Sequence, residues 1–282
     1  MKNVLVKDLV KNAADILKQA DISDYDTDSI LLAEHVLGVN RTGLYIHPNM
    51  EIDEKQAVKY MELVKSRAVH IPLQHLTGIQ EFMGMDFIVN ENVLIPRQDT
   101  EILVEEVIKY INNIKGKVCV LDMCTGSGCI AVSIDKLCEN AIVQAADISD
   151  KALVTAKKNN IKNNSSVNFI QSDMFENIGG KFDVIVSNPP YIETDEVNRL
   201  MPEVKDHEPA IALDGAENGL KFYNIICSNL NTYLSEGGAV FFEIGCNQGK
   251  TVPEMLKRNG FEDIKVIKDL AGNDRVVAAK RK

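Results

Sequence analysis

The chain of 282 residues lacks any run of about 18 apolar residues, which is the length that a membrane-spanning helix needs. Its start, MKNVLVKDLVKNAADILKQA, is amphipathic but has neither the short apolar core nor the cleavage site of a secretory signal. We therefore expect a cytoplasmic protein with no membrane partner. A hydrophobic content of 45% is ample for one large domain and a smaller one.

Positive charge is also scarce. The 31 lysines and arginines are outnumbered by 41 aspartates and glutamates, which gives a formal net charge of −10. Because phosphate binding requires clustered Lys and Arg, this balance argues against an extended nucleic-acid footprint. Residues 1–70 also lack the mixture of aromatic and basic side chains that single-strand binding uses. We expect a protein or small-molecule partner and no stable nucleic-acid binding.

The spacings of a metal site are missing as well. The cysteines include no CxxC pair, and the five histidines show no metal-ligand spacing. In a cytoplasmic protein such cysteines are typically reduced and behave as small apolar residues. We expect no metal, and we expect most of the cysteines to be free thiols: Cys119, Cys124, Cys129, Cys138, Cys227 and Cys246.

Helical periodicity dominates residues 1–72. Apolar residues recur at helical spacing from Leu9 to Ala20 and again from Ile30 to Val36, where Gly38 can end the second helix. Asp53 with Gln56 resembles a capping box for a third helix. Residues 73–98 are predicted to form a connector with a β-hairpin about Asn90-Glu91-Asn92.

Residues 99–282 alternate short apolar runs with helical segments. A helix comes first, with Asp99 or Thr100 as the expected N-cap. The runs KVCVLDMC, AIVQAADIS, VNFIQSDMF, FDVIVSNPP and GAVFFEIG follow. This rhythm predicts an α/β fold built on a parallel sheet. The final runs, FEDIKVIKDL and DRVVAAK, are close enough to form an antiparallel pair at one edge.

Two glycines follow the first of these strands, in VLDMCTGSGCIAV. Gly126 and Gly128 allow a backbone to approach a ligand closely, and the next helix offers unpaired N–H groups at its start. The pattern favours a nucleotide-like ligand, although a turn built only for tight packing is an alternative.

Carboxylates follow the next two strands. Asp147 lies about 20 residues beyond the glycines, where a doubly wound fold binds ribose hydroxyls. A helix N-cap is its alternative role, but Ser149 and Asp150 are available for that. Asp173 could accept from an adenine amino group, or could be an exposed turn residue. Ligands of open α/β sheets bind at the carboxyl ends of the strands, where both residues fall.

The sequence SNPPY follows the fourth strand. The side-chain carbonyl of Asn188 and the main-chain oxygen of Pro189 can both accept from one planar NH2 group, which aligns a poorly nucleophilic nitrogen for attack. Tyr191 can stack on that group and favour a nearby cation. The sulfonium of S-adenosylmethionine is such a cation. The alternative is a strand that simply ends in a Pro-rich turn.

These motifs resemble the class I S-adenosylmethionine-dependent methyltransferases, and more narrowly the HemK-like release-factor glutamine methyltransferases. The narrower resemblance depends on the blocks PLQHLTGIQEFMGMDFIVNENVLIPRQDTEILVE, LDMCTGSGCIAV, QSDMF, SNPPYI, EPAIALDGAENGLKFY, FFEIG and AGNDRVV, which span nearly the whole chain in order.

The resemblance implies a Rossmann-like, seven-stranded methyltransferase domain at residues 99–282, behind a helical substrate-docking domain at 1–72 and the connector at 73–98. The substrate would be the glutamine of the Gly-Gly-Gln loop in peptide chain release factors, methylated at N5. Separately from the resemblance, we expect the chain to be a monomer. The cofactor would be S-adenosylmethionine, leaving S-adenosylhomocysteine, with no metal.

The resemblance also assigns residues. Asp147 would bind the ribose, and Asp173 and Met174 would flank the adenine. The remaining cofactor contacts would come from Cys124, Thr125, Gly126, Ser127, Gly128 and Asn188. The substrate amide would be held by Asn188, Pro189, Pro190 and Tyr191.

Cys124 departs from the broader methyltransferase pattern, which often has Gly there. We expect an ordinary φ at Cys124, with the special geometry left to the two glycines, and we expect no catalytic role for its thiol. Arg97, Glu101 and Glu208 either border the active-site cleft or serve as ion-pair and capping residues.

Two other functions remain open from sequence. An amino methyltransferase acting on adenine N6 or guanine N2 would present the same NH2 geometry to Asn188. A non-catalytic adaptor with a degenerate nucleotide-binding domain is the third. The acidic net charge disfavours a nucleic-acid methyltransferase. The presence of Gly126, Gly128, Asp147 and the full NPPY sequence disfavours an adaptor.

Overall fold

The computed structural model describes residues 4–47 and 49–282, and its chain divides into two compact units. The first contains Met1–Gly78 and Met201–His207, and the second contains Ile79–Leu200 and Glu208–Lys282. Within the described residues, no helix combines the length and apolar character needed to cross a bilayer.

The helices, in chain order, are α1 (Val6–Gln19), α2 (Tyr25–Leu37), α3 (Arg41–Ile46), α4 (Glu54–Ala68), α5 (Leu73–Thr77), α6 (Gln98–Ile111), α7 (Cys129–Leu137), α8 (Asp150–Lys162), α9 (Thr194–Val197), α10 (Pro202–Lys205), α11 (Lys221–Tyr233) and α12 (Thr251–Arg258). The strands are β1 (Val4–Leu5), β2 (Glu51–Ile52), β3 (Ile79–Phe82), β4 (Met85–Ile88), β5 (Val118–Met123), β6 (Ala141–Asp147), β7 (Asn168–Gln171), β8 (Phe182–Ser187), β9 (Leu234–Glu243), β10 (Phe261–Lys268) and β11 (Asp274–Arg281).

The first unit is helical, as its periodicity predicts. Leu17, Leu32 and Val64 are fully buried and join α1, α2 and α4 in one core. Gly38 ends α2 in the left-handed region, at φ 66°. The capping box at the start of α4 is confirmed, because the Asp53 side chain accepts from the Gln56 N–H and the Gln56 side chain accepts from the Asp53 N–H.

A buried ion-pair cluster joins α2, α4 and α10 in this unit. Arg67 is 4% exposed, and its Nε donates to Asp28 Oδ2 at 2.6 Å. Its Nη2 donates to Glu203 Oε1, also at 2.6 Å. Burial raises the pKa of Asp28 while the Arg67 guanidinium opposes that rise. The cluster attaches Met201–His207 to the helical residues, although more than 100 positions separate them in sequence.

The second unit is built on a seven-stranded sheet in the order β10-β11-β9-β8-β5-β6-β7. Strands β9, β8, β5, β6 and β7 run parallel, whereas β11 is antiparallel to both β9 and β10. The predicted α/β class, the parallel sheet and the antiparallel pair at one edge are confirmed.

Helices cover both faces of the sheet because its central strands are apolar on both sides. Strand β8, FDVIVS, is buried at nearly every position. Leu103 of α6 and Ile134 of α7 lie in the core on one face. Ile226 of α11 and Leu256 of α12 lie in the core on the other.

The hairpin of residues 79–88 turns at a different place from the predicted one. Strands β3 and β4 pair antiparallel, and their turn is Met83-Gly84, at φ 52° and 73°. Asn90-Glu91-Asn92 lies beyond β4, where the Asn90 side chain accepts from the Asn92 N–H at 3.0 Å. The predicted hairpin turn at Asn90–Asn92 is therefore wrong; that segment is a separate Asx turn.

The start of α6 also differs from its prediction. The helix begins at Gln98, and Arg97 occupies the N-cap without a side-chain capping bond. Asp99 and Thr100 lie in the first turn instead. Their side chains contact Arg275 and Asn188, so tertiary contacts take the place of the predicted cap.

Candidate functional site

A cavity of about 300 Å³ opens in the second unit at the carboxyl ends of β5, β6, β7 and β8. It brings together seven of the predicted site residues: Cys124, Gly126, Asp147, Asp173, Met174, Asn188 and Pro190. The parallel pairing explains this, because β6 and β8 flank β5 and end at nearly the same level. The cavity lies where ligands of open α/β sheets bind.

The turn after β5 is tighter than expected. Cys124 lies at φ 63°, so the expected ordinary φ at this position is wrong. Gly126 and Gly128 do take positive φ, at 54° and 80°. The Thr125 N–H donates to the Ala146 carbonyl at 3.0 Å, which draws the chain toward β6 directly after Cys124. That early bend accounts for the left-handed conformation at a residue with a side chain.

The Cys124 thiol lines the cavity but is poorly suited to nucleophilic chemistry. Burial, followed by the nearby charges of Asp147 and Asp122, raises the pKa of this thiol. The thiol is therefore protonated at neutral pH, whereas a reactive cysteine needs the thiolate. All six cysteines of the chain are free.

Asp122 is fully buried beneath the turn. Its Oδ2 accepts from the Thr125 hydroxyl at 2.5 Å, and its Oδ1 has no side-chain or backbone hydrogen-bond partner within residues 4–47 and 49–282. Burial raises the pKa of Asp122 to about 7, and the Thr125 bond opposes that rise only in part. The carboxyl therefore fixes the turn from below rather than facing the cavity.

Asp147 reaches the cavity from the end of β6. Its Oδ2 accepts from the Gly126 N–H at 2.8 Å, and its Oδ1 accepts from the Ser149 N–H at 2.9 Å. Burial raises its pKa, while these backbone bonds oppose the rise. Ser149 caps α8 by accepting from the Ala152 N–H, so Asp147 is free of that role as predicted. Each carboxylate oxygen keeps a lone pair for a ligand.

Asp173 and Met174 form the next part of the wall. Asp173 is exposed, and its side chain makes no hydrogen bond to the residues that the structure describes. Met174 is buried at φ 46° in a turn that Ser172 holds by donating to the Met174 carbonyl at 2.8 Å. The Asp173 carboxylate is thus a free hydrogen-bond acceptor next to the apolar side chain of Met174.

Asn188 follows β8 and lines the cavity. Its Nδ2 donates to the Thr100 hydroxyl oxygen at 3.5 Å, so its Oδ1 lies on the opposite side of the amide. Pro189 and Pro190 are both buried. Because neither proline has an N–H and each has a fixed φ, the exit of the strand is rigid.

Tyr191 supports the site from behind and does not line the cavity. Its hydroxyl donates to Glu243 Oε1 at 3.4 Å, and its carbonyl accepts from Gln248 Nε2 at 3.1 Å. A Cβ on Gly215 would lie 2.8 Å from the Tyr191 Cα, and one on Gly219 would collide with the Tyr191 carbonyl. The backbone of Tyr191 is thus enclosed on several sides.

Four further residues from the predicted set lie outside the cavity lining: Thr125, Ser127, Gly128 and Pro189. Thr125 donates to Asp122, and the Ser127 carbonyl accepts from Asn159. A Cβ on Gly128 would lie 3.1 Å from the Ala156 Cβ, so this glycine permits close packing of the turn against α8.

Sequence reasoning missed much of the cavity wall. The missed residues are mostly apolar and include Asn92, Val93, Leu94, Pro209, Ile211, Ala212, Lys221, Phe222 and Ile225. All of them except Ile225 lie in the blocks VNENVLIP and EPAIALDGAENGLKFY, which carry no catalytic chemistry of their own. Only their position in or next to those blocks could have indicated from sequence that they line the cavity.

Arg97, Glu101 and Glu208 hold the segments around the cavity together. Arg97 Nη2 donates to Glu208 Oε2 at 2.6 Å, and the other Glu208 oxygen accepts from the Ile95 N–H at 3.2 Å. Glu101 Oε1 accepts from the Met83 N–H at 2.6 Å. These bonds join the start of α6 to residue 208 and to the hairpin turn.

Replacing Asp122 should change how stability depends on pH. The native carboxyl has a pKa of about 7 against an ordinary value of 3.8, so the native state keeps a proton that the unfolded state has lost. The resulting stabilisation is complete below the unfolded pKa and is lost as the pH rises through the native pKa. In Asp122→Asn this decline is absent.

Urea denaturation at a series of pH values measures the difference. From about pH 5 to pH 7, the free energy of unfolding should fall in the wild type relative to Asp122→Asn by about 1.4 kcal/mol per pH unit, and the gap should level off near pH 8. Parallel profiles across that range would contradict the assignment.

Comparison with known proteins is consistent with this geometry. Residues 8–78 match the PrmC N-terminal domain, and residues 98–204 match the methyltransferase small domain. Two solved structures share the fold: a methyltransferase from Pyrococcus furiosus (TM-score 0.53, 19% identity, 81% of this chain and 99% of that one) and a 16S rRNA methyltransferase from T. thermophilus with AdoMet and guanosine (TM-score 0.51, 15% identity, 72% of this chain and 50% of that one).

A curated relative is far closer in sequence. The release factor glutamine methyltransferase of Clostridium acetobutylicum is 42% identical over 283 aligned positions, which cover 98% of each chain. With the two domain matches in the same order, this similarity extends across both units. The chain belongs to the release factor glutamine methyltransferase family.

Proposed function

We propose that this enzyme transfers a methyl group from S-adenosylmethionine to the side-chain amide nitrogen, N5, of the glutamine in the Gly-Gly-Gln loop of peptide chain release factors. The observation that carries the proposal is that Asn188 and Pro190 share one cavity with Gly126 and Asp147. The residues proposed to bind the NH2 group and those proposed to bind the nucleotide therefore line one cavity. Membership of the release factor glutamine methyltransferase family indicates that the protein substrate is a release factor.

The residues present fit the cofactor. Asp147 retains acceptor capacity for ribose hydroxyls, and the free carboxylate of Asp173 suits an adenine amino group. The apolar side chains of Met174 and Phe222 can pack against the adenine plane. At Gly126 even a Cβ would meet no atom within 4 Å, so the backbone there is open to a ligand.

The protein contributes to the reaction by positioning the glutamine amide for methyl transfer. S-adenosylmethionine supplies an electrophilic methyl group and leaves as S-adenosylhomocysteine. In this proposal, Asn188 Oδ1 and the carbonyl oxygen of Pro189 accept hydrogen bonds from the two N–H groups of the glutamine amide, which favours the tetrahedral nitrogen of the transition state. Asn188 lines the cavity, whereas Pro189 is the residue next to it in sequence and is not part of the lining. Rigid prolines fix both acceptors before the substrate arrives. Once it is methylated, the amide nitrogen releases one proton to solvent water, and no protein nucleophile is needed.

The rest of the proposal concerns the protein partner, the oligomeric state, the location and the use of metal. We propose that the helical residues dock the release factor, that the chain acts as a monomer in the cytoplasm where translation occurs, and that the reaction uses no metal. Residues 4–47 and 49–282 contain no group of three or more His, Cys, Asp or Glu arranged to bind a metal ion.

The substrate test uses the purified chain with labelled S-adenosylmethionine. Unmodified release factor, a variant with Ala for Gln in the Gly-Gly-Gln loop, total RNA and duplex DNA are incubated separately. Label should enter only the release factor with its glutamine intact. Label in RNA or DNA would replace the proposal with an amino methyltransferase of nucleic acid, and failure to bind S-adenosylmethionine would favour an adaptor.

Asn188→Ala should mainly affect the chemical step. Loss of one acceptor that strengthens in the transition state is expected to lower kcat by at least about 100-fold, while the Kd for S-adenosylmethionine stays within several-fold. Single-turnover methylation and calorimetry measure the two quantities. Asn198→Ala, at an exposed position outside the cavity, is the matched control and should leave both unchanged. A parallel loss of cofactor affinity in Asn188→Ala would contradict the assigned role.

Asp147→Ala should show the opposite pattern. Removing a charged acceptor of ribose hydroxyls is expected to weaken binding of S-adenosylmethionine by at least about tenfold. Asp150→Ala serves as the control, since Asp150 is an exposed carboxylate in the first turn of α8 and does not line the cavity. If calorimetry gives both variants the same affinity as the wild type, the ribose assignment fails.

A further inference from the structure

Asn159 of α8 is a fully buried residue outside the cavity lining, and its side-chain amide bonds two separate segments of the second unit. Its Oδ1 accepts from the Ile88 N–H at 2.6 Å, and its Nδ2 donates to the Ile88 carbonyl at 3.0 Å. The same Nδ2 donates to the Ser127 carbonyl at 2.9 Å. Because an NH2 group has two protons, each carbonyl takes one of them.

The two bonds to Ile88 attach the β-hairpin to α8. Strand β4 pairs with β3 in a two-stranded sheet, and Ile88 bonds Asn159 through both its N–H and its carbonyl. A side-chain amide that accepts from and donates to one residue pairs with it as a neighbouring antiparallel strand would. An Asn159 amide turned by 180° would bring its NH2 against the Ile88 N–H, so these bonds also determine which way the amide points.

Asn159 belongs to a row of polar residues on one face of α8. Asn163 Nδ2 donates to the Asp86 carbonyl at 3.1 Å, and the Thr155 hydroxyl oxygen accepts from Asn90 Nδ2 at 3.1 Å. Thr155, Asn159 and Asn163 are four residues apart in sequence, which places them on the same side of a helix. This part of the connector therefore lies along α8 and is bonded to it at successive turns.

The bonded part of the connector leads into the cavity. Asn92, Val93 and Leu94 follow Ile88 within a few residues and line the cavity wall. Val93 also belongs to a small buried cluster with Ala152 of α8, and Ala152 itself lines the cavity. The position of this wall therefore depends on how the connector is held against α8.

The third bond of Asn159 reaches the turn after β5, which forms another part of the wall. Ser127 is 2% exposed and lies between Gly126, which lines the cavity, and Gly128. Gly128 packs so closely on α8 that a Cβ there would lie 3.1 Å from the Ala156 Cβ. Helix α8 thus holds this turn by close packing at Gly128 and by a hydrogen bond at Ser127. A residue that only covered the edge of the hairpin would not need the bond to Ser127.

We propose that Asn159 is a positioning residue for the cofactor. By bonding the connector and the glycine turn with one amide, it fixes the spacing between two parts of the cavity wall and so determines the affinity for S-adenosylmethionine. A site whose walls are fixed before binding loses less conformational entropy when its ligand arrives. The inference rests on the proposed function for the identity of the cofactor, whereas the bonds of Asn159 can be measured without any ligand.

The first test compares Asn159→Ala and Asn159→Asp with Asn163→Ala as the matched control. Asn159→Ala removes all three bonds, and Asn159→Asp keeps the shape but turns a carboxylate toward two carbonyls. Each should raise the Kd for S-adenosylmethionine at least about tenfold, because a buried carbonyl of the turn loses its donor. The kcat at saturating cofactor should stay within about threefold, since the proposed amide-binding residues follow β8. Asn163→Ala loses a bond to the hairpin but none to the turn, and its Kd should stay within about twofold of the wild type.

The difference between Kd and kcat separates positioning from a purely structural role. Calorimetry well below the melting temperature measures the Kd of each folded variant. A residue needed only for folding would lower the melting temperature in Asn159→Ala and leave that Kd unchanged, which would overturn the proposal. Equal weakening of cofactor binding in Asn163→Ala would mean that the site depends on the hairpin as a whole rather than on the bond to Ser127, and would also overturn it.

Side-chain NMR tests the bonds in the wild-type chain. With 15N-labelled asparagine, the Asn159 NH2 resonances are identified by their loss in Asn159→Asp or, if that variant does not fold, by nuclear Overhauser effects to the Ile88 amide proton. Both protons should exchange slowly with solvent, because each donates to a carbonyl from a fully buried side chain. Rapid exchange of either proton would overturn the proposal. Slow exchange and the expected Kd pattern in a chain that methylates no release factor would leave this inference intact and remove only the proposed substrate.

Discussion

The parallel pairing of β5 with both β6 and β8 is the constraint on which the site depends. Met123 is paired with Ala146 on one side and with Ser187 on the other. The three strands therefore release Cys124, Asp147 and Asn188 at one level of the sheet. A shift of one residue in either register would turn the corresponding side chain to the opposite face.

The first turn of α6 shows how tertiary contacts override local preference. Asp99 and Thr100 are good capping residues, yet the helix begins one residue before them without a side-chain cap. The lost cap costs about 1 kcal/mol, which the ion pair with Arg275 and the contacts of Thr100 offset. Asp99 and Glu101 still lie near the positive end of the helix dipole, which favours their charges.

Local patterns were enough to predict the strands, the capping box at Asp53 and the left-handed glycines, because each depends on neighbours in sequence. The hairpin was misplaced because Asn90-Glu91-Asn92 has strong turn residues, whereas the true turn begins with Met83, which carries no such signal. The positive φ of Cys124 depends on a bond from Thr125 to another strand. The pairing of Arg97 with Glu208 spans 111 residues, and the apolar cavity wall carries no chemical signature. Long-range contacts of this kind cannot be inferred from one sequence.

The close packing around Tyr191 limits how this part of the protein can evolve. Gly215 and Gly219 approach its backbone so closely that neither position has space for a Cβ. Most surface loops can vary freely in sequence, but this one packs its backbone against a segment that we propose binds the substrate amide. A side chain at either glycine would therefore displace the backbone of the NPPY segment. The apolar wall of the cavity is different, because a side chain can be exchanged there without moving the backbone of the proposed amide-binding segment.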